Sequence, residues 1–514
     1  MVELSPTPSS DVNDPLNWSM ARKILNFSLT FALTVAIFSA PTIMPIFWSQ
    51  MSVDLDLTLQ HLTYGQAANL GGSSIGSIIF IPLATKFGRR PVYLLSTAIL
   101  VSMSWWIAHM KTFPELLLTN IMYGMAGSTN ETIVQMTISD LFFVHQRGRA
   151  NTFYFVAVVL GAYMTPMPAG AQAMAQGWRM SYTTLAGAMT GLFVVFIFCF
   201  EETKYVGALE GSPEQQPERR LSADSPNDGF DGRQLTADEK GPRTHGEPEV
   251  TAAENQSDDT QNRPNSYWKR MPLITMTDES LWKLLYFPLL VSFVFPHIIF
   301  ASIQWAFGMI WITLFATVNS VVLSQPPYNF TPASLGYFNL GPLIGNLIGA
   351  AYGGFLGDWA VLRFARKNKG QYEPEVRLYI MPLPVISMAV GLVLYGVSID
   401  RGCHWIVPGI GQSLVAFSMS AAGDVAFTIV LDTYRELTGE AFVGINFFRS
   451  AVAIIVPFVF VPWWSSMSLT NIFLICAGIA LPSMALFVPM VISGKRWRRS
   501  LAPRFYRLVE KKYS

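Results

Sequence analysis

The chain has 514 residues, of which 51% are hydrophobic and 13% are charged, and its formal net charge is +1. Soluble proteins average roughly 25% charged residues, so this composition excludes an ordinary soluble globular protein and indicates that many apolar side chains face lipid. The near-zero net charge hides local asymmetry and is uninformative about nucleic acids or acidic substrates.

Apolar segments long enough to cross a bilayer recur along nearly the whole chain. A hydrocarbon core of about 30 Å requires about 20 apolar residues in a helix. Twelve such segments occur in two groups of six, at residues 24–48, 62–84, 92–110, 115–140, 152–174 and 180–200, then at 282–317, 333–356, 379–397, 405–430, 442–463 and 470–493. The sequence therefore predicts an all-α membrane protein of about twelve transmembrane helices in two six-helix halves.

The segment between the two groups is polar. It is rich in Glu, Asp, Ser, Pro and Gln and lacks apolar periodicity, so it cannot bury enough surface to order itself. We predict five regions, which are a cytoplasmic N-terminal tail at 1–23, an N-terminal half at 24–200, a disordered cytoplasmic linker at 201–280, a C-terminal half at 281–494 and a basic cytoplasmic tail at 495–514.

Basic residues are concentrated in the short loops of one side. The other side carries only Lys111, Arg179 and Arg401. Because basic loops are retained in the cytoplasm, we predict that both termini and the linker are cytoplasmic, in a multi-pass protein of the plasma membrane. Asn329, in an Asn-x-Thr motif with Thr331, then falls outside. Glycosylation and an unmodified turn are equally compatible with this motif.

Two acidic residues, Glu131 and Asp424, lie within predicted helices. A carboxylate at the centre of an inserting helix costs about 2.5–3.5 kcal/mol, so each is a functional candidate. Asn130 and Gln135 could share the surroundings of Glu131. Because apolar surroundings favour the neutral form of a carboxyl group, a buried glutamate can exchange a proton when a cavity opens to water. We predict that these four residues bind substrate or proton; the alternative is a carboxyl group hydrogen-bonded between helices.

The loop after the second predicted helix ends in Gly88-Arg89-Arg90. This loop resembles the signature of the major facilitator superfamily, whose usual form is Gly-x-x-x-Asp-x-x-Gly-Arg-Arg between the second and third helices. Here Thr85 stands at the position of the family's acid and Ile81 at that of its first glycine. The resemblance implies the two-half fold of that superfamily and alternating access around a central cavity.

Further segments carry the same resemblance. The second half repeats part of the signature with Asp358 and Arg363, while Asp140, Arg147 and Arg149 resemble the end of helix four in fungal drug:proton antiporters. Residues 14–18, 370–378 and 439–449 also resemble that branch. The resemblance implies that charged loop residues form gates, and these are Gly88, Arg89, Arg90, Asp140, Arg147, Arg149, Asp358 and Arg363.

The fifth predicted helix contains Gly161, Thr165, Pro166, Ala169 and Gly170. The segment resembles the antiporter motif Gly-x-x-x-Gly-Pro-x-x-Gly-Gly, with Thr165 and Ala169 in place of two glycines. Small residues allow helices to approach closely, and proline kinks a helix. The motif therefore predicts a kinked, tightly packed helix, and the resemblance implies export.

The resemblance implies a monomeric, proton-coupled secondary transporter that exports a small organic compound, such as a drug or secondary metabolite, across a lipid bilayer. The sequence contains no phosphate-binding Gly-x-x-x-x-Gly-Lys-Ser/Thr loop, no Cys/His metal cluster and no nucleophile elbow, so we expect no cofactor, no nucleic-acid partner and no enzymatic activity. Antiporters of this branch carry an arginine in helix four that is credited with proton transfer, whereas this chain has Asn120 there, four residues before Gly124. Uniport and coupling centred on Glu131 thus stay open. The alternatives are uptake of a nutrient or organic cation and, in another class, a non-transporting sensor or embedded enzyme.

Overall fold

The computed structural model describes residues 13–204, 270–272, 274–276, 280–367 and 374–513. Twelve long helices, here named α1 to α12 in chain order, correspond to the twelve predicted segments. The end of the bundle at which α1 begins and α12 ends is called the basal end, and the opposite end is called the apical end. The predicted linker, apart from its first four residues and a few near its end, lies outside the described residues.

The N-terminal half contains α1 to α6. Two of its helices are interrupted, since α1 continues through a 3-10 turn into a short apical helix and α5 contains a π-helical turn. The bounds are Met20–Ile43 for α1 with Trp48–Asp54 following it, Leu59–Phe87 for α2, Arg89–His109 for α3, Phe113–Leu141 for α4, Val144–Val159 and Pro166–Gln176 for α5, and Trp178–Cys199 for α6.

The C-terminal half contains α7 to α12. A π-helical turn at Tyr352–Leu356 interrupts α8, and α12 extends well past the membrane-length segment predicted for it. The bounds are Pro296–Val322 for α7, Pro332–Phe338, Leu340–Ala351 and Gly357–Lys367 for α8, Pro382–Asp400 for α9, Ile406–Thr433 for α10, Thr438–Ala453 and Ile455–Ser466 for α11, and Leu469–Ala485 and Phe487–Tyr513 for α12.

The seventh predicted segment, 282–317, differs from the structure. It is divided between a separate helix, Leu281–Val294, and α7, which begins at Pro296. Phe295 between them has φ −105° and ψ 120°, an extended conformation. The physical cause is Pro296, which disfavours the helical conformation of the residue before it.

Helix α4 lacks the long apolar stretch that the other helices contain. The other eleven are apolar and long enough to cross a membrane by composition alone, within the part of the chain that the structure describes. In α4 the residues Asn120, Thr129 and Asn130 are buried, and Glu131 lies beside them. A helix with this many polar groups can remain in a bilayer because neighbouring helices, rather than lipid, surround it.

The two halves contact each other closely at the apical end. The Ser320 hydroxyl of α7 donates a hydrogen bond to the Pro45 carbonyl after α1, and Thr317 donates to Gln66 of α2 at 3.1 Å. Below these contacts the halves separate around a central cavity. This arrangement places the substrate-sized space between apical contacts and the basal loops.

Candidate functional site

The central cavity has a volume of about 520 Å³ and is lined by both halves. A volume of this size lies within the usual range of small-molecule sites, about 300–1,000 Å³. Its wall mixes aromatic rings, amide side chains and three charged groups. The lining residues include Asn69, Asn120, Glu131, Gln135, Gln304, Trp305, Asn339, Asp424 and Arg449.

Glu131 of α4 forms an ion pair with Arg449 of α11 across the cavity. The Arg449 Nη2 atom donates to Oε2 of Glu131, and each side chain is only 11% exposed. The Arg449 guanidinium also lies over the Trp305 ring, 5.9 Å from its centroid. A proton on Glu131 would remove one charge of a pair that joins the two halves. Coupling of proton movement to movement of the halves requires such a contact.

The other predicted binding residues divide between the cavity and the helix interior. Gln135 and Asp424 line the cavity with Glu131. Asn130 does not, because its amide nitrogen donates to the Thr34 hydroxyl at 2.8 Å and both side chains are buried between α4 and α1. Asn130 was predicted to share the surroundings of Glu131, but it contacts α1 instead of the cavity. Consecutive helical residues project about 100° apart, so Asn130 and Glu131 serve different interfaces.

Asp424 lies where α10 meets the π-helical turn of α8. A Cβ atom placed on Gly353 would lie 2.8 Å from Oδ2 of Asp424, so a larger residue would require this carboxylate to move. Gly353 and Gly354 therefore leave the space that this carboxylate occupies. A π-helical turn beside a membrane-embedded acid is typical of functional sites.

Most amide side chains of the cavity direct their nitrogen toward the protein. Five of them donate it to a backbone carbonyl over 2.8–3.3 Å, and these are Asn69, Asn120, Gln304, Asn339 and Asn346. Because a carbonyl can only accept, each of these five amides must be oriented with its nitrogen toward it. Gln66 and Gln412 differ, because their amide oxygens accept from Thr317 and Asn319. The five amide oxygens and the two carboxylates thus give the wall several hydrogen-bond acceptors.

The predicted gate at Gly88-Arg89-Arg90 surrounds a carboxylate that the sequence analysis did not identify. Glu202, just after α6, accepts hydrogen bonds from the backbone nitrogens of Arg89 at 2.9 Å and Arg90 at 3.1 Å. Gly88 has φ +107°, a conformation that favours glycine. Burial raises the pKa of Glu202 above its usual value despite these hydrogen bonds. Glu202 therefore caps the start of α3 and fixes the turn.

Arg90 is a structural residue at this gate. It is 5% exposed, and its guanidinium donates to three backbone carbonyls at 2.8–2.9 Å. Two of them, Ile197 and Phe200, belong to the end of α6, and the third is Met271, near the end of the predicted linker. The fork of donors on arginine suits such multiple contacts. Arg90 thus joins the linker to the signature turn.

Corresponding ion pairs occur at the basal end of each half. Arg89 donates to Asp140 at 3.1 Å, and Arg377 donates to Asp432 at 3.3 Å. Each aspartate is the second-last residue of its helix, α4 or α10. From the sequence we had predicted that Asp358 and Arg363 form the gate of the C-terminal half. The structural equivalence of Asp140 and Asp432 supports a repeated unit.

The remaining predicted gate residues are not all described. Arg147 donates to the carbonyls of Phe142 at 3.0 Å and Ser139 at 2.8 Å, so it stabilises the turn between α4 and α5. Arg363 is exposed and lies 5.3 Å from the centroid of the Trp359 ring. The side chains of Arg149 and Asp358 lie outside the described residues.

The α5 motif forms two close helix crossings. A Cβ on Gly161, in the π-helical turn, would lie 2.6 Å from the Val35 carbonyl of α1. Pro166 begins the second part of α5, and a Cβ on Gly170 there would lie 2.3 Å from the Pro332 carbonyl of α8. The crossing of α5 with α8 is therefore an apical contact between the halves that depends on the absence of a side chain.

Comparison with known proteins agrees with this architecture. The family model described as Major Facilitator Superfamily matches residues 29–457. The chain belongs to this superfamily. It is 27% identical to an uncharacterized MFS-type transporter of Schizosaccharomyces pombe, over 98% of this chain and 89% of that protein. It is 22% identical to the MFS antiporter QDR3 of Candida albicans, over 92% of this chain and 78% of that protein.

Solved structures show the same fold. The crystal structure of a D-xylose-proton symporter superposes with a TM-score of 0.58 at 12% sequence identity, covering 91% of this chain and 97% of the symporter. At this identity the similarity concerns the fold alone. The twelve helices in two halves that the sequence predicts are therefore confirmed, and the chain is a secondary transporter of the major facilitator type.

In this major facilitator protein, the sequence did not lead us to predict a functional role for three residues of the site, which are Arg449, Glu202 and Asp432. Arg449 carried a usable signal, because a charged residue within a spanning helix is expensive whether it is acidic or basic. Asp432 could have been found by its position near the end of α10, which matches that of Asp140 in α4. Glu202 had no local signal, since its partners lie more than a hundred residues away.

Proposed function

We propose that this transporter exports a small organic compound, such as a drug or secondary metabolite, in exchange for protons. The observation that carries the proposal is the Glu131–Arg449 ion pair, which joins α4 to α11 inside the cavity. It is the kind of contact whose strength depends on one proton. The Candida albicans relative is named an antiporter, which supports exchange rather than uniport.

The proposed cycle couples the proton to the contact between halves. With Glu131 ionised, Arg449 is neutralised and the cavity accepts a solute from the basal side. A proton that reaches Glu131 from the apical side removes the attraction, and Arg449 keeps only its contact with the Trp305 ring. Loss of one partner from a buried pair is unfavourable, so the halves rearrange until the proton leaves. In this cycle Asn120, at the position of the branch's arginine, takes no part in proton transfer.

Uptake of an organic cation is the second candidate function. It is favoured by the acceptors in the wall, where five amide oxygens accompany Glu131 and Asp424. A solute with several N–H donors would satisfy these oxygens, and the aromatic rings would attract its charge. The direction of transport, rather than the cavity, separates this candidate from export.

Comparison of metabolites inside and outside cells, with and without the protein, tests the direction. We expect at least one organic compound to accumulate inside cells that lack the protein, because export removes it. Accumulation inside cells that contain the protein would indicate uptake instead. Absence of flux for the compounds so identified, in vesicles and in either direction, would favour a sensor or an embedded enzyme.

We also propose that the chain lies in the plasma membrane as a monomer, with both termini and the linker in the cytoplasm and Asn329 outside. Asn329 is exposed, and Thr331 of its motif caps the start of α8. We expect endoglycosidase treatment to increase the mobility of the protein in gels, and Asn329→Gln to abolish this shift. Asn255, in the linker, also begins an Asn-x-Ser motif, so Asn255→Gln is the matched control and should retain the mobility shift. A shift lost only in Asn255→Gln would reverse the proposed topology.

A further inference from the structure

A buried group of titratable side chains lies at the basal end of the C-terminal half, away from the central cavity. His297, the second residue of α7, is 0% exposed. Glu375, in the 3-10 turn Pro374–Ile380 before α9, is 5% exposed. Tyr434 follows α10, and Arg498 belongs to the long basal extension of α12. Side chains from four separate elements therefore form one group around the imidazole of His297.

The geometry leaves room for a proton between His297 and Glu375. The Tyr434 hydroxyl lies 3.3 Å from Nδ1 of His297, and Nε2 lies 3.8 Å from Oε1 of Glu375. Among the described residues, Nε2 of His297 has no hydrogen-bond partner, and Oε1 of Glu375 lies 3.3 Å from Nη2 of Arg498 without completing a hydrogen bond. Two buried polar atoms that face each other just beyond hydrogen-bond distance are costly unless a charge-assisted bond can form.

The side chains around His297 come from three other elements. Glu375 faces it directly, Tyr434 faces its other nitrogen, and Arg498 reaches it only through Glu375, at 3.3 Å from the carboxylate. Burial raises the pKa of Glu375, but donation from the His297 ring, a backbone hydrogen bond and the charge of Arg498 together outweigh burial and lower it overall. Glu375 is therefore ionised at neutral pH and can accept a hydrogen bond from a protonated imidazole.

The extension of α12 is packed against this group. A Cβ on Gly494 would lie 3.1 Å from Cγ of Glu375 and 3.4 Å from Nε2 of His297. Farther along, Phe505 packs against Phe295 and Tyr434, with ring centroids 6.3 and 5.8 Å apart. The position of this extension thus depends on the contacts that His297 and Glu375 make.

We propose that His297 and Glu375 form a proton-binding site that holds the extension of α12 against the basal end of α7. A proton on His297 lets Nε2 donate to Oε1 of Glu375 and Nδ1 donate to Tyr434, while Arg498 keeps its contact with the carboxylate. The extension is held firmly when His297 is protonated and Glu375 is ionised. It loosens as pH rises and His297 loses its proton, and again in strong acid when Glu375 is neutralised.

The site is independent of the proposed direction of transport, and its test needs no solute. A spin label is attached at Leu508→Cys, a partly buried position of the extension, after Cys199, Cys403 and Cys476 are replaced by alanine. Label mobility is recorded on the full chain in vesicles. We expect the immobilised fraction to fall about twofold between about pH 6 and about pH 8, the range in which histidine titrates.

Variants separate His297 from other titrating groups. His297→Gln and Glu375→Gln should remove the dependence on pH, whereas His404→Gln, an exposed apical histidine, should retain it. Arg498→Gln, at a partly exposed position, should give a mobile label at both pH values even if the buried variants fail to fold. A label in the unsubstituted chain that is insensitive to pH would overturn the proposal, as would unchanged sensitivity in His297→Gln.

Discussion

Glu131→Gln is expected to abolish concentrative transport while leaving the protein in the membrane. The substitution removes the charge that neutralises Arg449 inside the cavity. Loss of one partner from a buried ion pair costs about 3–5 kcal/mol, and the variant can no longer exchange a proton at this position. We expect export to fall by at least about tenfold, measured as the rate at which loaded cells release the identified solute.

Glu115→Gln is the matched control, because Glu115 is a partly exposed glutamate at the apical start of the same helix and lies outside the cavity. It should transport normally. Arg449→Gln should resemble Glu131→Gln, and the double variant should regain thermal stability without regaining dependence on pH, since neither charge is then left alone. Normal, pH-dependent export by Glu131→Gln would contradict the assigned role.

Gly170→Ala is expected to prevent the apical contact between the halves. A Cβ at this position would lie 2.3 Å from the Pro332 carbonyl, and a backbone oxygen cannot move aside as a flexible side chain can. The halves would stay apart at the apical end, so cycling would slow by at least about tenfold. A cysteine placed at Gln66, which lines the cavity, should become reactive toward a thiol reagent added from the apical side.

Gly336→Ala should give the same result from the other side of the crossing, since its Cβ would lie 2.5 Å from the Pro166 carbonyl. Gly187→Ala, on α6, is the control because a Cβ there meets no atom within 4 Å. If Gly170→Ala transported normally and left the cysteine at Gln66 unreactive, the α5–α8 crossing would not be a gate.

Much of the fold follows from local sequence. The lengths of the apolar segments predicted the helices, because a bilayer demands about 20 apolar residues per crossing. The exception was the break before Pro296, where the apolar run continues through a helix end. Hydropathy does not register the backbone restriction that proline imposes. The polar helix α4 was recognised despite its low hydropathy, since its length matched the others.

The site was only partly predictable. Glu131 could be singled out because an acid in a membrane helix needs a reason, but its partner lies 318 residues away in the other half. No periodicity connects such distant positions. Asn130 was assigned to the cavity because it adjoins Glu131 in sequence, whereas adjacent helical residues project in different directions. The pairing of Arg377 with Asp432 likewise depends on how three elements fold together.

Transport driven by a pH gradient tests the central claim most directly. Purified protein is reconstituted in vesicles with the identified solute outside, the vesicle interior is made acidic relative to the outside, and internal solute is followed with time. We expect accumulation above equilibrium in the unsubstituted protein, because outward proton movement drives solute inward, and only equilibration in Glu131→Gln. Accumulation in both proteins, or in neither, would contradict proton coupling through the Glu131–Arg449 pair.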